Sequence, residues 1–244
     1  MLGSPSEPRP PRAFVDLHCH TSASFDSLSR PRDVARAAAE RGITHLAITD
    51  HDRVDGALDA RDHAPAGLTI IVGEEIKTTG GDLIGVFLDR AIPPGLTPVE
   101  AIAAVREQGG LVGIPHPFDR FRGSLARSQQ LDELAPLVDW VEVHNSRIVL
   151  KGNERAVAFA LAHDLPGVAV SDAHTIMEVA VSCSVLEGDP STPAGLLAAL
   201  PPVDLVTSRA SYLVRTVTPV AKLVQRLRGN GRRRSPHPGP ETER

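Results

Sequence analysis

Short runs of apolar, mostly β-branched residues alternate along the chain with longer stretches rich in alanine and leucine. The short runs have the length of buried strands, and the longer stretches have the spacing of amphipathic helices. This alternation indicates an α/β fold with parallel strands joined by crossover helices. The predicted strands span residues 13–17, 45–49, 69–72, 83–88, 111–114, 140–144 and 168–171, with two weaker ones near 183–186 and 204–207. Seven main strands favour a closed or nearly closed barrel.

Capping residues mark the starts of two predicted helices. Ser29 is the expected cap of the first helix. Thr97 and Glu100 form a capping-box pattern around Pro98 at the start of the second. The predicted helices span residues 31–41, 97–108, 129–135, 153–163, 192–200 and 211–228. Pro219 is expected to bend the last of these helices.

Length and composition favour one soluble domain. The 244 residues, 41% of them hydrophobic, suffice for a single core over residues 13–228, with an extension from about residue 187. Residues 1–12 and 229–244 are rich in proline, glycine and arginine and are expected to be disordered. The sequence shows neither a signal-peptide core nor an apolar run that could span a bilayer. Two cysteines are too few for a disulfide framework and favour a cytoplasmic location.

Histidines and carboxylates follow directly after five of the predicted strands. Strand ends are where α/β folds build their sites. In the first cluster, alternation predicts that Asp16, His18 and His20 share one face of the strand, while Cys19 packs on the other. The remaining clusters contain His51, then Glu75, then His116, and finally the pair Asp172 and His174.

Each cluster alone has an ordinary structural explanation, such as a capping aspartate or a hydrogen-bonded core histidine. All five together favour a metal site. Glu75 is placed to bridge two ions, because a carboxylate offers two oxygens whereas an imidazole nitrogen offers one lone pair. Pro115 and Pro117 are expected to hold the backbone of His116 extended and to fix the direction of its imidazole.

The strings DLHCHT, TDHD, GEE, PHP and SDAH, in this order, resemble the polymerase and histidinol phosphatase (PHP) domain superfamily over residues 14–186. The resemblance implies a distorted seven-stranded (β/α)7 barrel with two or three divalent ions at the carboxyl ends of its strands. Within the superfamily, the chain is similar to the small stand-alone metal-dependent phosphoesterases. The resemblance assigns one ion to His18, His20, Glu75 and Asp172, a second to Glu75 and His116, and a third to Asp26, His51 and His174.

Two positions near the second ion depart from the family pattern. Asp82 stands where relatives often have a histidine, and it is either a ligand or a turn residue. His144 stands where relatives usually have no histidine, and it is an extra ligand, a contact to substrate or a strand cap. The candidates for phosphate binding are Arg120, Arg122, His144 and Arg147. For the arginines, the alternative is that they lie in solvated loops.

The implied function is hydrolysis of a phosphomonoester or phosphodiester by hydroxide that the metal ions activate. The ligands His18, His20, Glu75 and Asp172 would hold the catalytic metal and its water, and this donor set suits manganese, iron or zinc. A net charge of −4 gives no support for binding a long polyanion. The expected partner is therefore a small phosphorylated substrate, and nucleic acid enters only as substrate. An amidohydrolase-like hydrolase of another bond and a non-catalytic metal-binding regulatory module are the alternatives.

Overall fold

A computed structural model describes residues 11–119, 124–125, 130–149, 151–211, 214 and 216–231 of the protein. Most of both predicted tails lie outside these residues. The described part contains nine strands, namely β1 (Arg12–Asp16), β2 (His45–Ile48), β3 (Thr69–Lys77), β4 (Asp82–Val86), β5 (Leu111–Ile114), β6 (Trp140–Asn145), β7 (Gly167–Val170), β8 (Cys183–Glu187) and β9 (Asp204–Val206).

All nine strands belong to one strongly curved sheet, in the order β7-β6-β5-β4-β3-β2-β1-β8-β9. The two ends of the sheet approach each other, since the Ser184 hydroxyl on β8 accepts a hydrogen bond from the Ala169 amide on β7 (2.9 Å) and donates one to the Ala169 carbonyl (3.1 Å). The predicted nearly closed α/β barrel is thus confirmed. It has nine strands, because the two weaker ones extend the sheet beyond the seven expected.

Strand β4 departs from the predicted parallel arrangement. It pairs antiparallel with both β3 and β5. Only residues 78–81 separate β3 from β4, which is too short for the crossover that a parallel pair requires. Strand β8 is likewise antiparallel to β1. Apolar periodicity predicted these strands but could not give their direction.

Seven α-helices lie in the described residues. Helix α3 begins with the predicted capping box, in which Thr97 and Glu100 bond each other's backbone amides. Of these helices, none is long and apolar enough to cross a membrane. The helices are α1 (Pro31–Glu40), α2 (Asp55–Asp62), α3 (Pro98–Glu107), α4 (Leu131–Leu134), α5 (Gly152–Ala162), α6 (Pro193–Ala199) and α7 (Val217–Leu227), and a 3₁₀ turn, Ala135–Leu137, follows α4.

Three details of the helices differ from the sequence prediction. The first helix is capped by Arg30, which makes no side-chain cap bond, so Ser29 is not the cap. Helix α2 was not predicted, because its sequence is short and has little apolar periodicity. Pro219 lies in the first turn of α7, where its missing N–H costs no intrahelical hydrogen bond, so it does not bend the helix interior.

Apolar side chains form two layers, one on each side of the sheet. Inside the barrel, residues such as Ile71, Ile84 and Trp140 contact one another from different strands. Outside it, residues such as Leu46 and Ile114 pack against the helices. The inner layer fills the barrel below the carboxyl ends of its parallel strands. It therefore forms the floor under any site at that rim.

The indole of Trp140 sets a packing limit in this inner layer, which yields a first prediction. A Cβ on Gly113 would lie 2.2 Å from Trp140 Cε2, and Trp140 is buried. We expect Gly113→Ala to lower the free energy of unfolding by about 1–3 kcal/mol through overpacking, measured by thermal denaturation followed by circular dichroism. In a Trp140→Phe background, Gly113→Ala should lower the free energy of unfolding by clearly less. An equal cost in both backgrounds would show that the indole is not the obstacle.

Candidate metal centre

Hydrogen bonds between the loops that follow the strands assemble the five predicted clusters at one rim of the barrel. The Asp172 amide donates to the His18 carbonyl (2.9 Å), and the His20 amide donates to the Ala173 carbonyl (2.8 Å). His51 and Glu75 form a parallel bridge. Strand β3 continues past its predicted end at residue 72, so Glu75 lies within a paired strand opposite Ile84. The rim is therefore fixed by backbone pairing on both sides of Glu75.

Three groups of side chains at this rim have ligand atoms close enough to hold a metal ion, all within 4.8 Å of one another in each group. We call them the first, second and third metal groups. The first consists of His18, His20 and Asp172, the second of His18, Glu75 and His116, and the third of His20, Asp26, His51 and His174.

Glu75 contacts histidines of both the first and the second group. Its Oε2 lies 3.2 Å from Nε2 of both His18 and His20, and its Oε1 lies 3.1 Å from His116 Nε2. The two oxygens thus face different sets of imidazoles. A carboxylate placed in this way could bind one ion with each oxygen.

The third group is built around Asp26, which lies in the loop between β1 and α1. Asp26 Oδ2 is 3.3 Å from His51 Nε2 and 3.4 Å from His174 Nε2. His20 stacks on His51 and lies against His174, with ring centroids 4.7 and 4.2 Å apart. His20 therefore belongs to two groups, whereas the family resemblance assigned it to one ion.

The donor atoms fit divalent ions. Asp26 Oδ1 is buried and has no hydrogen-bond partner among the described residues. A buried polar atom without a partner is costly, and a bound ion would compensate that cost. Imidazole nitrogens mixed with carboxylate oxygens are the ligands that zinc, manganese and iron take in proteins.

The electrostatics of the cluster depend on its histidines. Burial opposes charge on His18, but the carboxylates of Asp172, Glu142 and Glu75 raise its pKa well above the usual value. Burial opposes charge on His20 as well, yet Asp172 and Glu75 raise its pKa to about 9. Without a cation, these two imidazoles hold protons that neutralise the buried carboxylates.

In the third group, the pKa of one histidine, His174, is lowered instead of raised. Burial and the nearby Arg147 charge lower the pKa of His174 to about 3. Burial would raise the pKa of Asp26, but the His51 imidazole beside it holds that pKa well below its usual value. The His174 imidazole is therefore neutral at physiological pH, the form that can donate a lone pair to a metal.

Two buried residues on β6 support the ligands and were not singled out from the sequence. Glu142 Oε1 lies 2.6 Å from His18 Nδ1, and its Oε2 accepts from the His116 amide (2.8 Å). Asn145 Nδ2 donates to Glu142 Oε2 (2.8 Å) and to Asp172 Oδ2 (2.9 Å). Such outer contacts fix the ring orientation and tautomer of a ligating histidine. The sequence feature that could have pointed to Glu142 is a carboxylate between apolar residues in the interior of a predicted strand.

Left-handed backbone conformations occur at two predicted ligands. His116 has φ 27° and Asp172 has φ 52°. The expectation that Pro115 and Pro117 hold His116 extended is therefore wrong. Non-glycine residues adopt this region at a cost and persist there when their surroundings over-determine the conformation. Two contacts constrain His116: its backbone amide donates a hydrogen bond to the Glu142 carboxylate, and its Nε2 contacts Glu75.

Several predicted site residues are not brought into the cluster. Asp82 belongs to none of the three groups that the described residues form; it begins β4 opposite Lys77. His144 is also outside them, with Nε2 2.8 Å from the Ser208 carbonyl and Nδ1 3.4 Å from Asn153 Nδ2. Arg147 is held by Glu178 at 3.2 Å and by the Thr218 hydroxyl at 2.7 Å.

Two other candidates for phosphate binding, Arg120 and Arg122, lie outside the described residues. Asp16 belongs to none of the three groups that the described residues form; β1 ends at this residue, and its Oδ1 accepts hydrogen bonds from the His18 and Ser171 amides at 3.3 and 3.1 Å. Cys19 packs in the outer apolar layer, away from the metal groups, as alternation predicted.

Comparison with known families agrees with this geometry. The PHP domain matches residues 16–111, and the PHP-associated domain matches residues 151–201. The first segment contains the clusters of His18, His51 and Glu75, and the second contains Asp172 and His174. His116 falls between the two segments.

Among relatives, an uncharacterized protein of Methanocaldococcus jannaschii is 38% identical over 144 residues, which cover 54% of this chain and 81% of that protein. A 5'-3' exoribonuclease of Haemophilus influenzae is 31% identical over 117 residues, which cover 43% of this chain and 42% of the exoribonuclease. The chain thus spans less than half of that enzyme.

Among solved structures, the fold is similar to a two-domain protein of Bacteroides vulgatus that contains a predicted PHP-like metal-dependent phosphoesterase. The TM-score is 0.62 at 18% identity, and the match covers 82% of this chain and 67% of that one. The shared fold, the matched domains and the relative covered over four fifths of its length lead to one assignment. This chain belongs to the PHP family.

Proposed function

We propose that this protein hydrolyses phosphate esters with two or three divalent ions held by the three metal groups. The observation that carries the proposal is the sharing of ligands: His18 belongs to the first and second groups, and His20 to the first and third. Ions held by groups that share ligands would lie next to each other. Side-by-side ions suit the attacking and leaving oxygens of a phosphoryl transfer.

The ions would supply a water of lowered pKa and positive charge against the phosphoryl oxygens. The chain's own residues supply position and environment. Glu75, His18 and His20 are almost fully buried, which keeps the ligands fixed and the local dielectric constant low. Glu142 orients His18, and the neutral His174 completes the third group without repelling a cation.

The substrate class that we propose is a nucleotide or the end of a short RNA, cleaved at a phosphomonoester or phosphodiester. The similarity to the H. influenzae exoribonuclease supports it. A net charge of −4 disfavours long contacts along a polyanion. The reaction would therefore take place at a small substrate or at a chain end.

A recess beside His174 supports a substrate with an apolar part. Its volume is about 390 Å³, within the range of small-molecule pockets. Its walls are mainly apolar, and Arg30 stands at its edge next to the amino end of α1. The recess is lined by Leu28, Ser29, Arg30, Asp33, His174, Thr175, Ile176, Met177 and Val217. A nucleobase or sugar would fit there while the phosphate faces the metal groups.

The direct test is a substrate panel assayed with added Mn²⁺. It contains nucleoside monophosphates, cyclic nucleotides, short 5'-phosphorylated RNA and simple phosphomonoesters, together with amide and lactone substrates. Release of phosphate or nucleotide that chelation abolishes would support the proposal. Turnover of only the amide or lactone substrates would favour the amidohydrolase alternative. Metal binding without any turnover would favour the non-catalytic module.

The bridging position of Glu75 yields a second prediction. Glu75→Gln keeps the shape of the side chain but replaces one of its two anionic oxygens by an amide. We expect kcat/KM to fall by more than about 100-fold, beyond the 10- to 100-fold typical of an outer-shell change. The matched control is Glu107→Gln, the same change on the exposed face of α3. Full activity in Glu75→Gln would rule out the shared-ligand mechanism.

Glu142 yields a third prediction. A glutamine has one acceptor oxygen, whereas Glu142 accepts at both, from His18 at 2.6 Å and from the His116 amide at 2.8 Å. In Glu142→Gln, the new amide group, itself a donor, would face either His18 Nδ1 or the His116 amide, which are also donors. We expect Mn²⁺ affinity to fall about 10- to 100-fold, measured by equilibrium dialysis against the Glu107→Gln control. An unchanged affinity would remove Glu142 from the support of the site.

The fourth prediction concerns pH. In the metal-free protein, carboxylates raise the pKa of His20 to about 9, so below that pH a metal must displace a proton. Affinity should therefore rise with pH up to about 9, by about tenfold per unit for each proton released. Calorimetry with Mn²⁺ between pH 6.5 and 8.5, in two buffers of different ionisation enthalpy, measures this release. Affinity that does not change with pH would contradict the assignment of His18 and His20.

A further inference from the structure

The last helix, α7, buries a polar residue and exposes apolar ones. Gln225 is only 3% exposed, whereas Val220, Leu223 and Leu227 are 56%, 60% and 79% exposed. This reverses the usual pattern of a surface helix, which buries its apolar stripe. Near its carboxyl end the helix is thus held by a polar contact. The helix also lies beyond both segments that match known domains, which end at residue 201.

That polar contact is made with the loop that carries Asp26. Gln225 Nε2 donates to three backbone carbonyls, those of Ser22 at 2.7 Å, Ser24 at 3.1 Å and Ser27 at 2.7 Å. About 200 residues of sequence separate the amide from these acceptors, with separations of 198–203. One side chain therefore gathers the carbonyls on both sides of Asp26.

The same serines contact the histidines of the third metal group. Ser24 Oγ accepts from the His51 amide at 3.0 Å and lies 3.1 Å from His20 Nδ1. Ser27 Oγ donates to the His174 carbonyl at 2.9 Å. Gln225 therefore binds the backbone carbonyls of Ser24 and Ser27. The hydroxyls of these two serines in turn contact His20, His51 and His174.

Contacts on either side of Gln225 add to this attachment. Beyond the carboxyl end of α7, Asn230 Nδ2 donates to the carbonyls of Ser22 and Ala23 at 3.3 and 3.0 Å. Lys222 Nζ lies 5.4 Å from the centre of the Phe25 ring, which itself packs against His51 at 4.8 Å. The attachment thus runs from Lys222 to Asn230, along the carboxyl-terminal part of α7 and the residues that follow it.

At its amino end, α7 reaches His174 by a second path. The Thr218 hydroxyl accepts from Arg147 Nη2 at 2.7 Å, and Arg147 pairs with Glu178 at 3.2 Å. Glu178 Oε2 in turn accepts from the His174 amide at 3.1 Å. Both ends of the helix are therefore coupled to ligands of the third group.

We propose that α7 sets the affinity of the third metal group, and that Gln225 is its positioning residue. In the first and second groups, His18, Glu75 and Asp172 are held by backbone pairing, and the His116 amide is held by the buried Glu142 carboxylate, whereas Asp26 lies in a loop. A loop residue keeps one conformation only if other contacts offset the entropy of ordering it. The inference rests on the proposed metal centre but not on the reaction catalysed there.

The test is a Mn²⁺ titration of metal-free full-length protein, in which calorimetry gives the affinity and elemental analysis the number of ions. Gln225→Met keeps the length of the side chain but removes its donors, and Gln225→Glu places oxygens against the three carbonyls. The control Leu223→Met puts the same residue on the exposed side of α7. We expect both Gln225 variants to bind the weakest ion about tenfold or more weakly, with the other ions within about twofold and the control unchanged.

Thermal denaturation of the metal-free proteins shows whether each variant folds. If Gln225→Met fails to fold, Asn230→Ala removes a milder contact to the same loop and should weaken the same ion by a smaller factor. Equal affinities in wild type and in the folded variants, or an equal loss for every ion, would overturn the inference alone. A wild-type protein that binds no Mn²⁺ would overturn the metal centre and this inference with it.

Discussion

The contact on which the site depends is that of one buried carboxylate with four imidazoles. Glu75 lies 3.1–3.4 Å from nitrogens of His18, His20, His51 and His116. These histidines come from the ends of three other strands, so the contact exists only when the strands have the right register. The antiparallel β4 contributes by extending β3 to Lys77 and pairing Ile84 with Glu75. A ligand on a paired strand is held more rigidly than one on a loop.

Much of this arrangement could be predicted from the sequence because its determinants are local. An apolar run followed by His51 or His116 contains within a few residues both the strand and the group at its end. The nine strands and the assembly of the clusters at one rim follow from that pattern and from the rule that sites form at strand ends. The direction of β4 does not follow, because a period of two residues is the same in both directions. The left-handed backbone of His116 was also hidden, since the flanking prolines favour extended structure.

The residues that support the ligands could not be found in the same way. Glu142 and Gln225 act through hydrogen bonds to partners 124 and about 200 residues away in the sequence. No local spacing of residues predicts such contacts. His144 is the opposite case, since it has the local signature of a ligand at the end of β6 but bonds the Ser208 carbonyl. A register irregularity between Glu142 and His144 occurs in that strand. Local alternation therefore does not decide which of its polar side chains reaches the rim.

The metal groups differ in what holds their ligands in place: residues of the barrel hold the first and second groups, and α7 adds contacts to the third. The ligands of the first and second groups are held by backbone pairing at His18, Glu75 and Asp172, and by Glu142 at His18 and His116. The third group depends on Asp26 and on a loop whose carbonyls are held by a helix from the end of the chain. Regions held by few contacts open at lower free energy than paired strands do. If ions occupy the three groups, the barrel would fix the first and second groups, and α7 would determine how firmly the third group holds its ion.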